Sequence, residues 1–171
     1  MKVRLAEIPA EGLRKEVRMK VAGLSRVTDT LGQQSGRLEA DLKLVRRDER
    51  VTVTGQVRVV LAVPCNRCLE PVPASLEEDV EVVLAPDAQM DDVEVEHELS
   101  AGELDVTFYA GEEIDLLAVL EDEVLLMVPE VVAPEDEDGR CTVCGRTLDD
   151  LYEAGSDEEF HPFAQMKQFL N

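Results

Sequence analysis

The sequence predicts an α+β fold: a core of antiparallel β-sheet or partly open barrel, one main amphipathic helix, and a C-terminal zinc-knuckle-like segment. Three observations carry that prediction. Several segments before Tyr109 alternate apolar and polar residues with a period of two, one segment beyond Glu112 repeats its apolar residues at helical spacing, and two C-x-x-C pairs stand far apart in the chain.

The strands follow in order. Lys2 to Ile8 sets Val3 and Leu5 against Lys2 and Arg4, and Leu13 to Val21 sets Val17, Met19 and Val21 against Arg14, Arg18 and Lys20. Gly32 to Gly36 is a turn-rich gap. Arg37 to Val45 alternates Leu38, Ala40, Leu42 and Leu44 with Arg37, Glu39, Asp41 and Lys43, and Arg46 to Glu49 forms a charged turn. Arg50 to Val63 is β-branched and alternating, with Gly55 as a candidate bulge. Ser75 to Leu84 and a weaker Leu104 to Tyr109 complete the set. Over 112–128 the period changes: Ile114, Leu117, Leu120, Val124 and Met127 share one helical face, acidic residues at its start complement the helix dipole, and Pro129 ends it. The organisation expected is a β core with helix over 1–133, then an acidic linker, a C-x-x-C hook and a short terminal helix (Phe160 to Leu170) over 134–171.

Composition narrows the function. Among 171 residues, 17 Lys+Arg face 38 Asp+Glu, a net charge of −21, with 44% apolar and 4% aromatic content. An apolar fraction of that size is not a disordered acidic tail. So few aromatics do not make a base-stacking platform, and so acidic a chain does not wrap phosphate along its whole length. The charge is split: residues 1–60 hold 13 basic and 8 acidic residues, and residues 61–171 hold 4 and 30. That asymmetry suits contact with RNA through one part and with a basic partner through another, and it also serves solubility. No apolar run approaches a membrane span and the N-terminus lacks a signal-peptide stretch, so a cytoplasmic chain is expected.

Reduced cytoplasmic cysteines at metal-ligand spacing then need an explanation other than disulfides. Cys65-Asn66-Arg67-Cys68 and Cys141-Thr142-Val143-Cys144 would each present two thiolates from a tight turn, and four together would close a structural zinc site, one ion per chain. The 72 residues between the pairs exceed ordinary ribbon spacing, and a redox dithiol or unligated thiols are the alternatives. His97 and His161 are substitute ligands. No phosphate-loop, dinucleotide or metalloprotease motif and no nucleophile–base pair occurs, so no enzyme is expected. Arg46, Arg47, Arg50 and Arg58, the densest basic stretch, and Arg67 inside the first cysteine pair are candidate RNA contacts. For Arg67, pairing with a nearby acid is the competing role.

Three segments together resemble the YceD family, the large ribosomal RNA subunit accumulation proteins. They are Cys65-Asn66-Arg67-Cys68-Leu69-Glu70-Pro71, the run Glu113-Ile114-Asp115-Leu116-Leu117 through Glu121-Asp122-Glu123 to Pro129, and the closing His161-Pro162-Phe163-Ala164. The resemblance implies a role in ribosome biogenesis, with ribosomal RNA or a basic large-subunit ribosomal protein as partner. It marks Cys65, Arg67, Cys68, Asp115, Glu121, Asp122 and Glu123 as functional candidates, the acids as a docking surface. A structural zinc module with another partner, or a metal-dependent RNA-processing enzyme, are the rival readings.

Overall fold

The computed structural model describes residues 1–87 and 106–150. The chain forms two compact units, one from Met1–Val63 with Pro73–Glu130, the other from Pro64–Val72 with the chain from Val131 onward.

The larger unit carries the regular structure. Its strands are β1 (Lys2–Arg4), β2 (Leu13–Lys20), β3 (Arg37–Arg47), β4 (Arg50–Pro64), β5 (Pro71–Pro86), β6 (Val106–Tyr109) and β7 (Glu113–Asp115), with helices α1 (Ser25–Leu31) and α2 (Leu116–Met127); the ends of β4 and β5 run into the smaller unit. A five-stranded sheet has the order β2-β3-β4-β5-β6, and β1 pairs with β7 in a separate two-stranded sheet. Pairing is antiparallel in β2–β3 and β3–β4 but parallel in β5–β6. The sheet is therefore mixed and not antiparallel throughout, because alternation reports which face is buried and not strand direction. The long connection between Pro86 and Val106 is what a parallel neighbour requires. Among the described residues β2 and β6 stand at opposite ends of the sheet.

Alternation works where one face is buried. Leu38, Ala40, Leu42 and Leu44 of β3 and Val51, Val53, Val57, Val59, Leu61 and Val63 of β4 are buried, and the residues between them are exposed or half-buried. Each such Val or Leu side chain contributes roughly 1.5–3 kcal/mol of transfer free energy. The β3–β4 register runs unbroken through Gly55↔Leu42, so Gly55 is no bulge. It is glycine because a Cβ there would lie 2.1 Å from the Asp41 carbonyl oxygen.

Other elements depart from the sequence expectation. Lys2 to Ile8 is strand only to Arg4 and then a 3-10 turn, Leu5–Glu7. The turn expected over Arg46 to Glu49 shrinks to Asp48 and Glu49, with Arg47 opposite Arg50 and Asp48 at φ 56°. The helix expected over 112–128 begins at Leu116, because Glu113–Asp115 pair with β1 first and Asp115 then caps the helix through the Leu117 amide. α1 is a seven-residue helix with no counterpart in the sequence reading. The terminal helix over Phe160 to Leu170, and the start of the strand placed from Leu104, lie outside the described residues.

Candidate metal centre

The smaller unit has almost no apolar interior: among its described residues only Cys65 and Cys141 are buried. Two turns built alike occupy it. In the first, the Cys65 amide donates to the Glu70 carbonyl and the Leu69 amide to the Cys65 carbonyl; in the second, the Cys141 amide donates to the Arg146 carbonyl and the Gly145 amide to the Cys141 carbonyl. The residue after each second cysteine is left-handed, Leu69 at φ 63° and Gly145 at φ 73°. That conformation lets the chain fold back so that both sulfurs of a pair reach the same side.

The four cysteines, 72 residues apart as pairs, meet. The sulfur of Cys141 lies 3.8 Å from those of Cys65 and Cys68. These three sulfurs lie within 4.8 Å of one another, a group that can hold a metal ion. The Cys144 thiol is in hydrogen-bonding contact with Cys68 and Cys141. A spacing of 3.8 Å is far from a disulfide bond, and all four are free thiols.

The electrostatics favour anionic sulfur. The amides of Arg67, first, and Cys68 point at Cys65 and hold its thiol below the usual range against the opposing effect of burial. The amides of Cys144 and Val143 do the same for Cys141. Cys68 has the help of the Glu70 amide, but desolvation and three neighbouring sulfurs outweigh it and push the thiol up to about 12. Proximity of like groups opposes a fourth negative charge unless a cation is there to share it. The Arg146 guanidinium bonds Cys144, which raises its own pKa; the sequence reading passed over Arg146, whose place just after the second pair was the only signal.

Arg67 closes the unit. Its guanidinium, 15% exposed, donates to the Gly139 carbonyl and pairs with Glu135. Asn66 adds a second brace, its amide donating to the Val132 carbonyl and its side-chain oxygen accepting from the Val132 amide. Arg67 thus clamps its own unit, the acid-pairing role set against RNA contact in the sequence reading. His97 and His161 lie outside the described residues.

The remaining candidates separate by the face they stand on. Arg46 is turned back onto the Leu5 and Asp48 carbonyls, and Arg58 pairs with Glu77 at 3.0 Å. Arg47 and Arg50 are exposed and have no ion-pair partner among the described residues. Of the acids, Asp115 caps α2 and accepts from the Met1 amino group at 3.2 Å, which together hold its carboxyl below the usual range despite desolvation. Glu121 is buried and bonds the Ser25 hydroxyl and Arg26 amide; Asp122 pairs with Arg26 at 2.5 Å. Glu123 is half-buried, its carboxyl raised by desolvation and by Asp122 and Glu78. Asp115, Glu121 and Asp122, expected in an acidic docking surface, thus each have a partner within the larger unit.

Residues 53–170 match the family described as Large ribosomal RNA subunit accumulation protein YceD. The chain belongs to the YceD family. The match takes in both cysteine pairs and α2, and the description ties YceD proteins to the accumulation of large-subunit ribosomal RNA. No curated protein and no solved structure matches the chain. Among the described residues no helix is long and apolar enough to cross a membrane.

In this YceD chain the two left-handed positions are filled unequally. Leu69 carries a side chain, 77% exposed, in a conformation that costs a residue other than glycine about 1–2 kcal/mol. Leu69→Gly is expected to stabilise the smaller unit by about 0.5–1 kcal/mol after glycine's own entropy loss, and Gly145→Ala to destabilise it by about 1 kcal/mol. Urea unfolding followed by thiol accessibility checks both signs.

Proposed function

We propose that this chain is a non-catalytic ribosome biogenesis factor, needed for accumulation of large-subunit (23S) ribosomal RNA, that binds pre-ribosomal RNA and carries one structural zinc ion. The observation that carries the reading is the YceD match over residues 53–170. Zinc fits the donor set. Metal–sulfur bonds of about 2.3 Å in a tetrahedron imply sulfur–sulfur edges of about 3.8 Å, the separation of Cys141 from both Cys65 and Cys68. Cys65, Cys68, Cys141 and Cys144 would hold the ion, which supplies cohesion and no open coordination position for substrate.

RNA is favoured over a basic ribosomal protein because Asp115, Glu121 and Asp122 have partners within the chain, whereas Arg47 and Arg50 have none among the described residues. The test is purification of the protein from its own cells at low salt. Large-subunit ribosomal RNA precursor should accompany it, and depletion of the protein should lower large- relative to small-subunit RNA. A preparation free of ribosomal RNA and particles, with subunit RNA unchanged on depletion, overturns the reading. Incubation of pure protein with precursor RNA and Mg²⁺ should leave the RNA intact; cleavage overturns the non-catalytic part.

A further inference from the structure

We propose that the solvent face of the sheet at the β3–β4 hairpin end is a phosphodiester-backbone docking surface, formed by Arg14, Lys43, Arg47 and Arg50. Strand parity assembles it. Antiparallel partners point to the same face of a sheet, and residues two apart along a strand share that face. Arg14 stands opposite Lys43, Lys43 opposite Thr54, and Arg47 opposite Arg50. All four cations are exposed. Arg46, next to Arg47 in sequence, has the opposite parity and is bonded to backbone carbonyls. The side chains between the two cationic pairs on this face are Val45, Thr52 and Thr54, with no acid among them.

Three features point to an anionic occupant. None of the four cations has an acidic partner within ion-pair distance among the described residues, whereas Arg58, on the same face of the sheet, pairs with Glu77. Arg14/Lys43 and Arg47/Arg50 are like charges directly across a strand pair, an arrangement that opposes pairing and is relieved by an anion placed between them. A shallow cavity of about 310 Å³ opens at Arg14, Lys43 and Thr54; Glu16 and Asp41 bound it on the far side. The acid pair Glu16/Asp41 limits the surface along β2 and β3, and Asp79 and Glu81 beside Thr54 and Gln56 limit it on the β5 side, so an RNA strand would meet phosphate ligands at the hairpin end and repulsion beyond it. A run of successive phosphates suits four cations spread over a few strand spacings better than a compact ligand does. The four residues precede the matched span 53–170, so the surface deepens the RNA reading above, on which it rests, with residues that the family match does not cover.

The experiment is binding of a labelled single-stranded oligouridylate to the full metal-loaded chain across a salt series. Four phosphate contacts predict a log–log slope of about −2.8, an affinity loss of about 50-fold between about 50 and 200 mM salt. R14A/K43A/R47A/R50A should flatten that slope and weaken low-salt binding by a comparable factor. R4A/R18A, which removes cations already paired with acids, should keep the wild-type slope. If the fourfold variant fails to fold, R14A/K43A and R47A/R50A should each remove about half the slope. A wild-type slope in the variants overturns the surface and leaves RNA binding to another part of the chain. No binding by the wild-type chain at low salt overturns both. If the variants keep RNA but lose an acidic protein that co-purifies with the wild type, the surface belongs to protein and the proposal falls.

Discussion

Chelating the proposed zinc is expected to unfold Pro64–Val72 together with residues 131–150, while the larger unit retains a cooperative transition of its own. The reason is the missing core. Cys65 and Cys141 are the only buried residues described in the smaller unit, so its hydrophobic transfer free energy is small, and the rest of its cohesion is hydrogen bonds and the Arg67–Glu135 pair. Net contributions of that kind, about 0.5–1.5 kcal/mol per hydrogen bond, do not offset about 1–2 kcal/mol of backbone entropy per residue fixed. A structural zinc ion contributes about 10–16 kcal/mol in small peptide sites, enough to decide the balance. Elemental analysis should find one zinc per chain, Cys68→Ser should lose it, and hydrogen exchange at the Cys65, Leu69, Cys141 and Gly145 amides should rise on chelation. Unchanged protection of those amides after the metal is gone would show that the turns stand by themselves.

Glu121→Ala is expected to cost about 1–3 kcal/mol of stability in the larger unit. The Glu121 side chain, 5% exposed, reaches from α2 to the start of α1, where it accepts from the Ser25 hydroxyl at 3.3 Å and the Arg26 amide at 3.1 Å. The N-cap position of α1 is Leu24, which has no side-chain oxygen, so a residue from another helix does the capping. Truncation leaves the Arg26 amide without that acceptor, and a seven-residue helix has little cooperativity of its own to resist fraying. Glu121→Gln keeps an acceptor and should lose under about half as much. Asp122→Ala, removing only a partly exposed pair with Arg26, should cost about 1 kcal/mol or less. The urea midpoint measures all three; a Glu121→Ala chain as stable as wild type but deprived of a basic protein partner would restore the docking role to the acid.

Those two sites mark where sequence stops informing. The long strands were legible because burial of one face imposes a period of two on Arg37–Val45 and Arg50–Val63. The direction of β6 was not, since parallel and antiparallel partners share that period. α1 escaped because its determinants are remote: the acid that caps it lies 95 residues beyond Arg26. The cysteine pairs were legible from spacing and residue type, but their meeting depended on where intervening elements return the chain. Among 38 acidic residues nothing local distinguishes one that caps a helix from one that faces solvent. For the arginines the missing quantity was parity: Arg46 and Arg47 are chemically equal, and one step along β3 turns the first toward backbone carbonyls and the second outward. Arg14 and Lys43 became companions of Arg47 and Arg50 only once the register of β2 and β4 on β3 was known.

The two matching turns also make a topological fastening. The stretch from Pro73 to Glu130, with most of β5 and all of β6, β7 and α2, is strung between them. The proposed ion, gripped by both ends, would shut a ring of 72 residues, and closing a ring of that length in the unfolded chain would lower its entropy by the equivalent of about 4 kcal/mol at room temperature, as a disulfide would. Unlike a disulfide, such a staple would withstand reductant and be released by metal scarcity, so zinc supply would govern how much of that tether the folded strands enjoy.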